Sequence, residues 1–195
     1  MARLNTENFN WQSLSHIPAW RFICGHCSTT VSSDRGWSAL GPGNAAVGFV
    51  YTCPECRGPV FRKGNAQFPI AAFGKPVPLV PKELNDLFEE ARSCTSANAF
   101  TAAVLICRKM LMNIAVQEGA EEGLRFIEYV DYLAARGFVP PNGRHWVDHI
   151  RRRGNEATHE ISLMSETDAK ELVGFVEMLL RFIYEFPNLI PNAPA

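Results

Sequence analysis

Four cysteines in two Cys-x-x-Cys pairs carry the most specific chemistry in the chain: Cys24-Gly25-His26-Cys27 and Cys53-Pro54-Glu55-Cys56. Each pair offers two thiolates from one tight turn. Two such turns brought together make a closed tetrahedral shell of four sulfurs, the geometry that Zn2+ prefers. The expected cofactor is one structural zinc ion held by Cys24, Cys27, Cys53 and Cys56. Four thiolates leave no open coordination position, so such a metal folds a small segment and does not activate water. Two disulfides or idle thiols are the competing reading. A redox role fits less well, because a redox Cys-x-x-Cys usually occurs once, at a βα junction. His26 can replace one cysteine as a ligand or stand as a solvent-facing knuckle residue, and the second reading is the one taken. Gly25 and Gly58 suit backbone turns around the knuckles.

A second constellation lies in Ile150-Arg151-Arg152-Arg153-Gly154-Asn155-Glu156-Ala157-Thr158-His159-Glu160. On a continuous helix Arg152, Asn155 and His159 form an i, i+3, i+7 stripe. A guanidinium, a carboxamide and an imidazole on one face can bind a phosphate and move a proton near neutral pH. Metal-independent RNA cleavage needs such groups: a base for the 2′-hydroxyl, an acid for the leaving oxygen and a cation for the phosphorane charge. The bland alternative is that the arginines pair with acidic helices while Asn155 and His159 tie helices together. His145 and His149, at i, i+4, have metal-ligand spacing but no evident third ligand. Cys94 and Cys107 fall on apolar helical faces and read as core.

The elements that must position these groups change character along the chain. Phe9, Trp11, Leu14, Ile17 and Trp20 are spaced for a short amphipathic helix ending at Pro18. The ribbon is expected from about Trp20 to Phe61, with a turn at Gly41-Pro42-Gly43-Asn44. The spacer between the cysteine pairs exceeds the roughly 15–20 residues of the commonest zinc pattern, so the hairpin tip should be long or irregular. Pro69, Gly74, Pro76 and Pro78 mark residues 64–80 as a linker. Helical periodicity then takes over, through Leu84, Leu87, Phe88 and Ala91, through Phe100 to Ile114, and through Leu124 to Leu133. A fourth helix is expected near Arg144, and a last one starts at the capping-box-like Ser165-Glu166-Thr167-Asp168. The expected fold is mainly α, a small β zinc ribbon followed by a bundle of about five helices. The domains are residues 1–63 (N-terminal segment and ribbon), 64–80 (linker) and 81–190 (helical domain).

Composition is that of an ordinary globular protein, 47% hydrophobic and 20% charged,. The N-terminus lacks the apolar core of a signal peptide, and no run approaches the 18 or so apolar residues of a membrane span. Reduced cysteines meant for metal point to the cytoplasm. A net charge of −1 hides an asymmetry: residues 1–75 carry seven Lys/Arg against three Asp/Glu, and residues 76–195 twelve against seventeen. A mildly basic ribbon suits nucleic acid, although two ordinarily solvated surfaces explain the same numbers.

Glu89-Glu90-Ala91 before Cys94, Ala102-Ala103-Val104 leading to Arg108-Lys109-Met110-Leu111, and Arg151-x-x-Gly154-Asn155-x-x-x-His159 resemble a bacterial domain-of-unknown-function family placed in the HEPN superfamily. The resemblance covers roughly residues 79–190. It implies a helical bundle, often a homodimer, in which an Arg-x4–6-His motif from each protomer lines a shared cleft. Many members are endoribonucleases of toxin, restriction and antiphage defence systems, and others bind nucleotides or protein partners. His159 matches the motif histidine and Asn155 the polar residue after the arginine; Arg151 or Arg152 takes the arginine's place, with Arg153 also within the broader spacing. Gly154 stands where the shortest Arg-Asn-x-x-x-His pattern has arginine, and Met112 stands where relatives often carry a glutamate.

Three functions compete. One is a metal-independent endoribonuclease acting as a homodimer. Another is a non-catalytic module that binds RNA, another nucleic acid, a nucleotide or a protein partner. The third is a structural dimer whose Arg…His block only staples helices. None of the three needs a membrane.

Overall fold

A computed structural model describes residues 9–139 and 163–189, which fall into two compact units, residues 1–72 and 73–195. The first unit is a β-meander. Its strands are β1 (Ser15–Ile23), β2 (Thr30–Leu40), β3 (Ala46–Thr52), β4 (Pro59–Lys63) and β5 (Ala66–Phe68), each antiparallel to the next. In a meander alternate turns fall at the same end of the sheet. The β1–β2 turn holds Cys24 and Cys27 and the β3–β4 turn holds Cys53 and Cys56, so topology alone brings the pairs together. The β2–β3 tip at the other end is a short 3-10 turn, Pro42–Asn44, with Gly43 at φ 71° and Asn44 at φ 56°.

One face of the sheet carries a small core of Ile17, Phe22, Tyr51 and Val60, packed with Cys24 and Cys53. Trp20 stacks on Phe22 at 4.6 Å between ring centroids, and the Arg62 guanidinium lies 4.9 Å above the Trp20 ring. The Tyr51 hydroxyl donates to the Pro18 carbonyl at 2.8 Å. A core this small buries little apolar surface for a five-stranded sheet,.

The second unit contains α1 (Lys82–Ser96), α2 (Phe100–Gln117), α3 (Phe126–Ala135) and α4 (Glu166–Leu180). A π-helical stretch, Arg181–Glu185, and a helical turn, Phe186–Leu189, follow α4. Helix α2 is central and packs on α1, α3 and α4 through Ala103, Cys107, Met110, Leu111 and Ile114, all fully buried. Its length and mean hydropathy of 1.3 would suit a membrane span, but a core helix has the same composition. Helix α4 opens on a capping box, with Ser165 Oγ accepting from the Asp168 amide at 3.2 Å and Asp168 Oδ2 accepting from the Ser165 amide at 2.9 Å,.

The expectation of a mainly α chain with a small ribbon and about five bundled helices is overturned. The described residues hold a five-stranded antiparallel sheet beside four helices, with strands and helices segregated along the chain,. The N-terminal amphipathic helix does not form, because Ser15–Ile23 is strand β1. A register shift between His16 and Trp20 places Pro18 in a bulge on an edge strand, where its missing N–H costs no ladder bond,. That bulge breaks the in–out alternation between buried Ile17 and buried Phe22, which hides the strand's period of two. Within residues 64–80, read as linker, Ala66–Phe68 forms β5 against β4. The helix expected near Arg144, with Trp146, and the loop Pro140-Pro141-Asn142-Gly143 lie outside the described residues.

Candidate metal centre and the buried arginine network

Each cysteine pair sits in a turn with the same hydrogen bonds. The Cys24 amide donates to the Thr29 carbonyl (2.9 Å) and the Ser28 amide to the Cys24 carbonyl (2.8 Å). The Cys53 amide donates to Gly58 (3.0 Å) and the Arg57 amide to Cys53 (2.8 Å). The residue after each second cysteine, Ser28 or Arg57, has φ near +60° (60° and 58°). That left-handed residue, a non-glycine in both turns, closes the knuckle.

The four Sγ atoms lie within 4.8 Å of one another, so Cys24, Cys27, Cys53 and Cys56 form a cluster able to hold a metal ion. The contacts between turns are Cys24–Cys56 at 3.7 Å and Cys27–Cys53 at 3.9 Å. A tetrahedral ion with metal–sulfur bonds of about 2.3 Å requires sulfur edges of about 3.8 Å. Both distances exceed the S–S bond of about 2.05 Å, and all four thiols are free,. Cys24 and Cys53 are buried, Cys27 and Cys56 half-buried.

Burial pushes the Cys24 and Cys56 thiols up. Burial acts in the same direction on Cys27, but hydrogen bonds from the Thr29 side chain and backbone and from Cys56 and Cys24 outweigh it and bring that thiol down. A central cation is the charge that lets buried sulfurs exist as thiolates. The His26 amide donates to Cys24 Sγ at 3.4 Å.

His26 is neither a ligand nor a freely solvated side chain. Its ring is half-buried, and Nε2 donates to the Pro59 carbonyl at 2.9 Å, tying the first knuckle to the start of β4. The knuckle glycines serve close approach. A Cβ at Gly25 would lie 2.3 Å from the Pro69 carbonyl oxygen, and one at Gly58 would lie 2.4 Å from His26 Cδ2. Gln67 holds the chain over the first knuckle, its Nε2 donating to the Ile23 carbonyl at 2.7 Å and to the Pro69 carbonyl at 3.1 Å. Gly25→Ala is therefore expected to force a backbone shift and lower the stability of the sheet unit by about 1–3 kcal/mol. Thermal unfolding followed by tryptophan fluorescence checks this, since Trp11, Trp20 and Trp37 all belong to that unit.

The second unit holds a polar network centred on α1. Arg92 on α1 is fully buried. Its Nη1 donates to both Glu89 carboxylate oxygens (2.6 and 2.8 Å), its Nε to the Phe73 carbonyl (3.2 Å) and its Nη2 to the Gly74 carbonyl (2.8 Å). Thr95 Oγ1 accepts from the Phe73 amide at 3.0 Å and donates to the Arg92 carbonyl at 2.6 Å. On α4, Glu177 Oε2 accepts from the Lys75 amide at 2.9 Å, and Glu177 Oε1 takes the Arg181 guanidinium at 2.9 Å. Gly74, at φ 77°, leaves 3.0 Å between Glu177 and where a Cβ would stand. Together these bonds clamp residues 73–75 onto α1 and α4. The available signal was helical phase: Leu84, Phe88, Arg92 and Thr95 share one stripe, and all four are buried,.

Cys107 is buried and its thiol is pushed up to about 12 by that burial; burial, then Glu90, raises the half-buried Cys94. Both behave as core residues. Arg151, Arg152, Arg153, Asn155 and His159, with His145 and His149, lie outside the described residues. Met112 packs at the edge of the helical core.

A family model described as "Domain of unknown function (DUF4145)" matches residues 89–191, more than half of the chain. The matched segment starts at the Glu89 of the buried arginine network, takes in residues 151–159 and leaves the cysteine cluster outside. No curated protein and no solved structure matches the chain.

Proposed function

Because the chain belongs to the DUF4145 family, we propose that its helical unit acts on RNA as a metal-independent endoribonuclease of the HEPN type, in a bacterial defence or toxin setting. Its sheet would be organised by one structural Zn2+ on Cys24, Cys27, Cys53 and Cys56. The observation that carries the proposal is the division of chemistry along the chain. The cysteine cluster supplies all four sulfurs of a closed shell, so metal-bound water is not its chemistry. The Arg-Gly-Asn…His block lies inside the family-matched segment.

In this reading Arg152, or Arg151, holds the scissile phosphate and offsets phosphorane charge. His159 accepts the 2′-hydroxyl proton or returns one to the leaving 5′-oxygen, and Asn155 fixes the geometry. The 2′-oxygen bonds to phosphorus as the bond from phosphorus to the 5′-oxygen breaks, leaving a 2′,3′-cyclic phosphate and a 5′-hydroxyl. A homodimer through the helical unit would bring two such blocks to one cleft.

The test is incubation of metal-loaded protein with single-stranded and hairpin RNA in magnesium-free buffer. Wild type is expected to yield cyclic-phosphate ends, and His159→Ala to lower the rate at least about 100-fold, the size of one general acid–base contribution. Intact RNA, or equal cleavage by the variant, rejects the nuclease.

A second reading, a non-catalytic module that binds nucleic acid, a nucleotide or a protein, is favoured by Gly154 at the place of the motif arginine. It requires saturable binding that charge reversal at Arg151–Arg153 weakens, with no turnover.

A further inference from the structure

The outer face of the sheet, opposite the small core, carries a row that crosses four strands. Trp37 on β2 pairs with Val50 on β3, Val50 with Phe61 on β4, and Phe61 with Phe68 on β5. Directly paired residues of antiparallel strands point to the same face, with neighbouring strands about 4.8 Å apart. Phe61 is 40% exposed and Phe68 71%. A Cβ at Gly48, on the same face, would lie 3.3 Å from Phe61 Cε2 and Cζ, so the missing side chain makes room for the ring against the sheet. At the other end Trp11 packs edge-on against Trp37 at 5.4 Å, and Phe9 against Trp11 at 5.3 Å. Trp11 is fixed there by its Nε1 donating to the Arg57 carbonyl at 2.7 Å.

Basic residues border this row. Strand alternation puts Arg21 of β1 and Lys63 of β4 on the same face, both exposed. Arg57 is exposed beside Trp11. Of the acidic residues described in this unit, Asp34 is paired with His16 at 3.1 Å and Glu55 sits in the second knuckle. Open aromatic faces bordered by cations match the two recurring features of an unpaired nucleic acid strand, stackable bases and a phosphate backbone. They match a duplex less well, because a duplex hides its base faces.

We propose that this outer face, with Phe61 and Phe68 and the exposed cations Lys63 and Arg21, is a docking surface for single-stranded RNA. The inference deepens the proposed action on RNA and rests on it for the choice of RNA. The sheet holds the strand by base stacking without reading its sequence, while any cleavage belongs to the helical unit.

The probe is a labelled 20-nucleotide 2′-O-methyl oligouridine, which has no free 2′-hydroxyl and so separates binding from cleavage. Its fluorescence anisotropy is titrated with metal-loaded full-length protein. Saturable binding that weakens with added salt is expected. Phe68→Ala and Phe61→Ala should each raise Kd about 5- to 100-fold, and Lys63→Glu should raise it and flatten the salt dependence. Phe68 is exposed enough that its removal leaves the fold intact, which unchanged metal content and tryptophan fluorescence verify. Absence of binding, preference for a duplex of equal length, or unchanged affinity in both phenylalanine variants overturns the inference. If the phenylalanine variants lose binding and no RNA is ever cut, this surface stands and the nuclease falls. If RNA is cut and they bind normally, only this surface falls.

Discussion

Cys53→Ser is expected to abolish metal binding by the cysteine cluster and unfold the sheet unit while leaving the helical unit folded. Cys53 is 1% exposed and belongs to the same small core as Phe22, Tyr51 and Val60, so ligand and core are lost together. In small metal-dependent domains zinc binding contributes on the order of 10–16 kcal/mol. That range matches or exceeds the total stability of about 5–15 kcal/mol typical of a whole domain. The sheet unit has a core on one face, and its β5 is three residues long. Removing its metal should abolish its cooperative transition and not merely lower the midpoint. Metal analysis should fall from one ion per chain to none in the presence of a competing chelator. Emission from Trp11, Trp20 and Trp37 should shift to that of exposed indole, while helical ellipticity at 222 nm persists. A Cys53→Ser protein that keeps native tryptophan emission without metal would show that the sheet folds by apolar packing alone.

Arg92→Ala is expected to destabilise the helical unit by about 3–5 kcal/mol, the cost of breaking a buried ion pair by removing one partner. The guanidinium has no exposed surface and serves the Phe73 and Gly74 carbonyls as well as Glu89, so its loss takes the donor from both carbonyls. Glu89 keeps 27% of its side chain exposed, and Glu89→Gln should cost less, because water reaches that side chain and its amide oxygen still accepts from Arg92. Arg92→Lys should recover only part of the loss, since a single ammonium cannot span two carbonyls and a carboxylate with the same fork. Urea unfolding followed at 222 nm measures all three. If Arg92→Ala unfolds like wild type, the clamp on residues 73–75 contributes nothing to stability.

The cysteine cluster was legible because ligand chemistry is written in residue type and spacing, and the alternating turns of a meander do the rest. Strand β1 was not, because the bulge at Pro18 gives Ile17, Trp20 and Phe22 a spacing that mixes both periods. The three-residue β5 has too little alternation to rise above its proline-rich surroundings, and Gln67 anchors it through hydrogen bonds that composition does not announce. The roles of Gly25 and Gly58 depend on Pro69 and His26, which only the folded chain brings near. Arg92 shares the helical phase of Leu84 and Phe88, but its carbonyl partners Phe73 and Gly74 lie in a proline-rich stretch that periodicity does not place beside it.

The central claim is that the metal centre is closed and structural, so that chemistry belongs elsewhere. Zinc-edge X-ray absorption of the purified protein tests it most directly. The account predicts a single shell of four sulfurs at about 2.3 Å with no oxygen or nitrogen ligand. A light-atom ligand in that shell would contradict it and put an open, water-activating position on the sheet; finding no zinc, with the cysteines joined as disulfides, would contradict it outright.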